Sequence, residues 1–216
     1  MSDRFWITRR EAALGAVIAS APSAGLAAPA RPVVTLLGDS ITAGYGLPAA
    51  LSLPIQLQTA LAAVKAPAVV RGAGVSGDTT GGGLSRIDFS VQKDTKVCVV
   101  ALGGNDLLLG LPPAEMKANL DAIVRKLKAR RIKVVLAGLQ APPLVAQVYG
   151  DAYVREFNAV FPAVAKAHAV ALLPNLLEGV ATNAQLNQQD GIHPNPKGVE
   201  LIARRLAPLV ARSLRS

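Results

Sequence analysis

The amino-acid sequence predicts an α/β fold, a three-layer α/β/α sandwich in which about five parallel strands lie between two layers of helices. Short apolar runs alternate along the chain with longer amphipathic stretches, the rhythm of strand and crossover helix. The runs are apolar nearly throughout, as Val33-Val34-Thr35-Leu36-Leu37 shows, which suits strands covered on both faces. Segments carrying Gly38, Gly74 and Gly103 each follow such a run, where an open sheet of this class turns from strand to helix.

The first strand is expected near 33–38, and the Ala/Leu-rich stretch beyond it gives a helix near 50–64. A second strand follows near 68–72, and Val97-Cys98-Val99-Val100-Ala101-Leu102 forms the third, near 96–102. The helix near 114–130 is the best signposted. Pro112-Pro113 precede it, Glu115 sits in its first turn, and Leu120, Ile123, Val124 and Leu127 recur at helical spacing. Its last turn is rich in Lys and Arg, as the helix dipole favours. A fourth strand is expected near 132–138, a helix near 151–167, a fifth strand near 169–173 and a last helix near 197–213. Right-handed crossovers are expected. The chain's 216 residues suffice for one domain with a real core and are too few for two.

Composition narrows the function classes. The net charge is +9, from 23 Lys and Arg against 14 Asp and Glu. The basic residues are spread over expected helices (Arg125 to Lys133, then Arg204, Arg205, Arg212 and Arg215) and read as solvated faces, with weak contact to an anionic membrane surface as the alternative. No basic-aromatic interleaving supports nucleic-acid binding. Cys98 is the single cysteine and lies inside an apolar run, so it reads as a buried small hydrophobe. His168 and His193 are the two histidines; neither has zinc-like spacing to cysteines, and no metal or other cofactor is expected.

Residues 1–30 read as an export signal, leaving 31–216 as the mature domain. Arg4, Arg9 and Arg10 give a positive start, and Ala12 to Ala21 a short apolar core. Small residues follow, ending at Ala27-Ala28-Pro29-Ala30. Thr8-Arg9-Arg10 with Leu14 resembles a twin-arginine signal, and an ordinary general-secretion signal is the alternative. On either reading the protein is expected outside the cytoplasm, in the periplasm.

Four segments carry the chemistry. They are Gly38-Asp39-Ser40-Ile41-Thr42-Ala43-Gly44-Tyr45-Gly46, Gly74-Val75-Ser76-Gly77-Asp78-Thr79-Thr80, Gly103-Gly104-Asn105-Asp106 and Asp190-Gly191-Ile192-His193-Pro194-Asn195. The first three follow expected strands and can converge on one sheet edge. A serine hydroxyl is a poor nucleophile until a base takes its proton, and the base needs an orienting partner. Ser40 supplies the hydroxyl, while Asp190 and His193 lie on one loop. Ser40 N–H, Gly77 N–H and the Asn105 amide can serve a developing oxyanion. Against these stand plainer roles: Ser40 as a helix N-cap and His193 as a cap of the last helix. His168, which ends a helix before a strand, is read as structural. Asp39 and Asp106 are read as braces for their loops, and Asp78 as a brace or cap of its own turn.

The four segments, in this order, resemble the blocks of the SGNH (GDSL-type) hydrolase family, with most likeness to its bacterial thioesterase I / lysophospholipase / arylesterase branch. The resemblance spans nearly all of 33–213, including Tyr149-Gly150, Tyr153, Phe157 and Leu172-Leu173-Pro174. It implies a flavodoxin-like sheet, Ser40 as nucleophile, His193 as general base and then acid, and Asp190 as its orienter. Gly77 and Asn105 would complete the oxyanion hole with Ser40. Two departures stand out. Gly72 occupies a place where this branch usually carries asparagine, and the segment from Gln140 to Val148 is longer than in relatives. Leu107, Leu108 and Leu109, beyond Asn105, and Pro142 and Pro143 in the long segment are the candidate substrate wall.

The expectation is an exported, metal-free esterase working through an acyl-serine. Its substrates would be small acyl esters, aryl esters, acyl thioesters or lysophospholipids. Two rivals remain: an acetylesterase acting on envelope carbohydrate, and a non-catalytic flavodoxin-like binding module. No residue pattern commits the chain to a particular oligomer.

Overall fold

Five parallel strands line up in the order β2-β1-β3-β4-β5 in a computed structural model that describes residues 31–216. The strands are β1 (Val33–Gly38), β2 (Val69–Gly74), β3 (Thr95–Ala101), β4 (Lys133–Ala137) and β5 (Ala171–Leu173). The helices are α1 (Ser40–Ala43), α2 (Leu53–Ala63), α3 (Thr80–Ser90), α4 (Gly104–Leu108), α5 (Pro113–Ala129), α6 (Val145–His168) and α7 (Pro196–Arg215). The export-signal expectation lies outside the described residues.

Alternation along the strands divides the core. Val34 and Leu36 of β1 and Val97, Val99 and Ala101 of β3 face one cluster, shared with Leu57 and Leu61 of α2 and Ile202, Leu206 and Val210 of α7. Leu37, Cys98 and Val100 face the other, with Ile87 of α3, Leu120, Ile123 and Leu127 of α5 and Phe157 and Phe161 of α6. Both sheet faces are therefore covered, which is why β1 and β3 read as unbroken apolar runs. Cys98 is fully buried there, and burial pushes its thiol up to about 12, so it packs as an inert hydrophobe.

The expected strands and helices fall close to their observed positions, and the largest differences are at α3 and α6. Helix α3 was not expected, because Gly81-Gly82-Gly83 weakens helix propensity. Tertiary structure overrides that weakness. Thr79 Oγ1 accepts from Gly82 N–H at 3.1 Å, and Asp106 Oδ2 accepts from Thr80 N–H at 2.9 Å. A Cβ at Gly83 would meet Leu102 Cδ1 at 2.2 Å, so glycine is what lets α3 lie against the sheet. Helix α6 begins earlier than expected and breaks at Gly150 (φ +85°), so the expected helix near 151–167 is its second part. Gly72 admits α2: a Cβ there would stand 2.8 Å from Pro54 Cγ.

Register positions the sheet's functional edge. Gly38 of β1 is level with Gly74 of β2 and Ala101 of β3, so three strands end in one row. The order reverses at β1, whose neighbours are β2 and β3, and such a switch point opens a crevice at the strands' C-terminal ends. The short helix α1 packs directly on this row. A Cβ at Gly74 would stand 2.3 Å from the Ala43 nitrogen and 2.7 Å from the Asp39 carbonyl oxygen, both backbone atoms. Gly74→Ala is therefore expected to displace the turn that carries Ser40, lowering stability by about 1–3 kcal/mol as overpacking does and lowering ester hydrolysis with it. Chemical unfolding and turnover measured on the same preparation check this.

Candidate active site

Ser40 is the first residue of α1 and not its cap. Asp39 is the N-cap, its Oδ1 accepting from Ile41 N–H at 3.0 Å. The Ser40 hydroxyl is thus free of capping duty, and it meets His193 Nε2 at 2.9 Å. His193 Nδ1 lies 2.6 Å from Asp190 Oδ2, while Asp190 Oδ1 accepts from the N–H groups of Ile192 and His193 at 2.9 and 3.0 Å. The backbone N–H of His193, its ring, and the N–H of Ile192 hold the Asp190 carboxyl down at about 2. An ionised Asp190 accepts from His193 Nδ1–H and so keeps the proton on that nitrogen, which leaves Nε2 as the acceptor for the Ser40 O–H. The three groups form one relay from carboxylate to hydroxyl.

The loop that delivers His193 is stitched on both sides. Asn187 and Pro194 form an isolated antiparallel bridge, and Gln188 N–H donates to the His193 carbonyl at 2.8 Å. Asn195, not His193, caps α7: its Oδ1 accepts from Lys197 N–H and Gly198 N–H at 3.0 and 3.1 Å. Its Nδ2 donates back to the Gln185 and Asn187 carbonyls at 2.9 and 3.2 Å. Gln188 Nε2 reaches across to the Tyr45 carbonyl at 2.8 Å, joining this loop to the one after α1. The Tyr45 ring then covers His193, centroid to centroid 4.5 Å.

The donor side of the site comes from the turns after β2 and β3. Gly77 sits at φ +84° with open space where a Cβ would stand, a conformation that glycine adopts without strain. Asn105 opens α4, and its Nδ2 donates to the Asp78 carbonyl at 2.8 Å. An amide carries two N–H bonds on that nitrogen, so one fixes its aim and one remains for a ligand. Asp106 is buried and braces α3 through Thr80 N–H and Oγ1, as a loop brace should. Asp78 does not cap its own turn, since Thr79 performs that task. Its carboxylate pairs instead with Arg86 at 2.6 Å.

Of the expected substrate wall, Leu108 and Leu109 are exposed, with Leu107 half-buried beside them. Tyr149 O–H donates to the Leu108 carbonyl at 3.1 Å, and Leu144 and Val148 of the neighbouring segment are exposed. Pro142 and Pro143 lie in the turn that opens α6, their carbonyls accepting from Val145 and Ala146 N–H. His168 pairs with Asp121 across α5 and α6 at 2.9 Å, a structural bond. A hollow of about 620 Å³ lined by Asp88, Val91, Gln92, Lys93 and Arg130 lies towards the other end of α3, and it contains no nucleophile and base in contact. Among the described residues, no three His, Cys, Asp or Glu side chains are grouped to hold a metal.

Residue reasoning on the sequence gave no role to Arg86, Gln188 or Tyr45. Arg86 carried a faint signal, as a lone base in the glycine-rich stretch after the second motif. Gln188 carried none, because its partners are backbone atoms remote in sequence.

The chain is similar to known proteins over most of its length. Residues 36–201 match the model of the GDSL-like Lipase/Acylhydrolase family. Esterase TesA of Pseudomonas aeruginosa is 37% identical over 186 residues, covering 84% of this chain and 90% of its own. Thioesterase 1/protease 1/lysophospholipase L1 of Escherichia coli K12 is 35% identical over 188 residues, covering 85% and 87%. Among solved structures, AlinE4, an SGNH-hydrolase family esterase, superposes with a TM-score of 0.70 at 41% identity, covering 88% of this chain and 100% of that one.

Asp39 gives a testable pH signature. Burial raises its carboxyl to about 6, against the pull of Ile41 N–H and of neighbouring His193. An acid raised on folding holds its proton more tightly in the native state. The native state is therefore favoured below the unfolded value near 4, and this advantage is lost as pH rises through about 6. The shift corresponds to roughly 3 kcal/mol. Asp39→Asn keeps the oxygen that accepts from Ile41 and removes the titration. Between about pH 4 and 6, urea unfolding should show wild type losing stability relative to Asp39→Asn, and parallel curves would exclude this effect.

Proposed function

This chain belongs to the GDSL-like lipase/acylhydrolase family, and from that premise we propose that Ser40 is its nucleophile, His193 its base and acid, and Asp190 the residue that orients His193. The protein is a serine hydrolase of ester bonds, of esterase/thioesterase type. The observation that carries the residue assignment is the relay Asp190–His193–Ser40, with contacts of 2.6 and 2.9 Å.

The reaction follows from the relay. Ser40 Oγ attacks the acyl carbon while His193 Nε2 takes its proton, and the ionised Asp190 stabilises the imidazolium so formed. The carbonyl oxygen becomes an oxyanion that accepts from Ser40 N–H, Gly77 N–H and Asn105 Nδ2. One such donor is worth roughly 3–4 kcal/mol of transition-state stabilisation. His193 then gives the proton to the leaving alcohol or thiol, and an acyl-serine remains. Water repeats the sequence: His193 takes its proton, the hydroxide adds to the acyl carbon, and Ser40 departs with the proton returned.

The substrates are small acyl esters, aryl esters, acyl thioesters or lysophospholipids. The exposed Leu108 and Leu109 beyond Asn105 support an acyl chain over an acetylated sugar, and these side chains lose water when a chain lies on them. Residues 1–30, with Arg4, Arg9, Arg10 and a short apolar core, support export to the periplasm with 31–216 as the mature enzyme.

Ser40→Ala is expected to abolish hydrolysis of p-nitrophenyl acetate and labelling by a fluorophosphonate while leaving the unfolding midpoint close to wild type. Wild-type turnover by Ser40→Ala would remove the assignment. In a series of acyl esters of graded length, kcat/KM should rise beyond acetate; a preference for acetylated sugar would favour the carbohydrate reading instead.

A further inference from the structure

The sheet edge that carries the site poses a problem of its own. Parallel strands end there in carbonyls that need donors, and the loops leaving them must hold Ser40, Gly77 and Asn105 in fixed relation. One side chain reaches both strand ends and the turn after β2. Arg86 Nη2 donates to the Gly38 carbonyl of β1 at 2.9 Å, and Nη1 donates to the Ala73 carbonyl of β2 at 2.9 Å. Nη1 also donates to Ser90 Oγ at 2.9 Å, and Nε to Asp78 Oδ2 at 2.6 Å. Asp78 in turn offers its backbone carbonyl to Asn105 Nδ2 at 2.8 Å. The side chains of Arg86 and Asp78 are largely withdrawn from solvent, 18% and 15% exposed.

We propose that Arg86 is a positioning residue for the oxyanion-binding edge: its guanidinium ties the ends of β1 and β2 to Asp78 and so fixes the carbonyl that aims the Asn105 amide. The proposal rests on the reading of Asn105 as an oxyanion donor. A planar guanidinium suits the task, since its donors point in fixed directions and it stays charged at any working pH. A lysine offers a point charge and cannot span the same acceptors in one plane. Because Arg86 touches no reacting atom, its effect must pass through Asp78 and Asn105. It must also appear in the chemical step, where the oxyanion exists, and not in ground-state binding.

The test is a double-mutant cycle between Arg86→Gln and Asn105→Ala, read as kcat and KM for p-nitrophenyl acetate. Arg86→Gln should lower kcat by about ten- to a hundredfold with KM little changed, as small misplacements of catalytic groups do. Arg86→Lys should recover part of that loss. In the Asn105→Ala protein the same change should cost roughly twofold or less, because the group it positions is gone. Should Arg86→Gln not fold, Asp78→Asn gives the same readout, as it weakens the tie and keeps the backbone carbonyl. A loss of equal size in both backgrounds, or a change in KM alone, overturns the proposal. Wild-type kcat in Asn105→Ala alone would overturn the oxyanion reading itself, a result distinct from failure of the tie.

Discussion

A single hydrogen bond, Ser40 Oγ to His193 Nε2, joins residues 153 positions apart, and the rest of the molecule can be read as what makes it possible. One partner hangs from the first strand and the other from the last loop before the last helix. Neither can shift by an ångström without losing the contact, since hydrogen bonds weaken steeply beyond their preferred distance. The sheet supplies the first anchor, with β1 held between β2 and β3 and buried on both faces. Helix α7 supplies the second, docked on the same apolar cluster that holds β1 and capped by Asn195 immediately after the His193 turn. The core cluster shared by β1 and α7 is thus the physical link between Ser40 and His193.

Loops deliver the functional atoms, and here the order comes from polar bonds instead of apolar packing. Asn187, Gln188 and Asn195 bind backbone carbonyls and N–H groups within and around the His193 loop, so side-chain amides do the work that strand pairing does elsewhere. On the donor side, Asp106 and Thr80 play the same part for α3. These groups are costly to bury unless paired, and their pairing rigidifies the loops that carry the chemistry.

The strands were legible in the sequence because both faces of the sheet are covered, which leaves Val33 to Leu37 and Val97 to Leu102 as unbroken apolar runs. The Asp190–His193 pair was legible because its spacing is local. What escaped was set by contacts distant along the chain. Helix α3 runs against its glycines because Leu102 leaves no room for a larger residue at Gly83. Gly72 carries no side chain where Pro54 fills the space one would need. Asp78 read as a local brace, yet its partner Arg86 lies a further two turns along an unforeseen helix. Propensity and spacing describe neighbours in sequence and are silent on such pairs.

Two carboxylates act on or beside His193, and in the proposed mechanism their surroundings suit only Asp190 to orient it. Asp39 is enclosed, spends an oxygen on Ile41 N–H, and is raised to about 6 by burial. Asp190 is half-open to solvent, accepts two backbone N–H groups, and is held at about 2. A residue that must stabilise an imidazolium has to stay charged while the proton moves, and Asp190 meets that condition throughout the working range of a histidine base. Asp39 lacks that reserve. A carboxyl that carried a proton could no longer stabilise the imidazolium by its charge. Environments that push paired carboxylates apart separate their roles, and here the separation leaves Asp39 to hold the turn and Asp190 to serve the base.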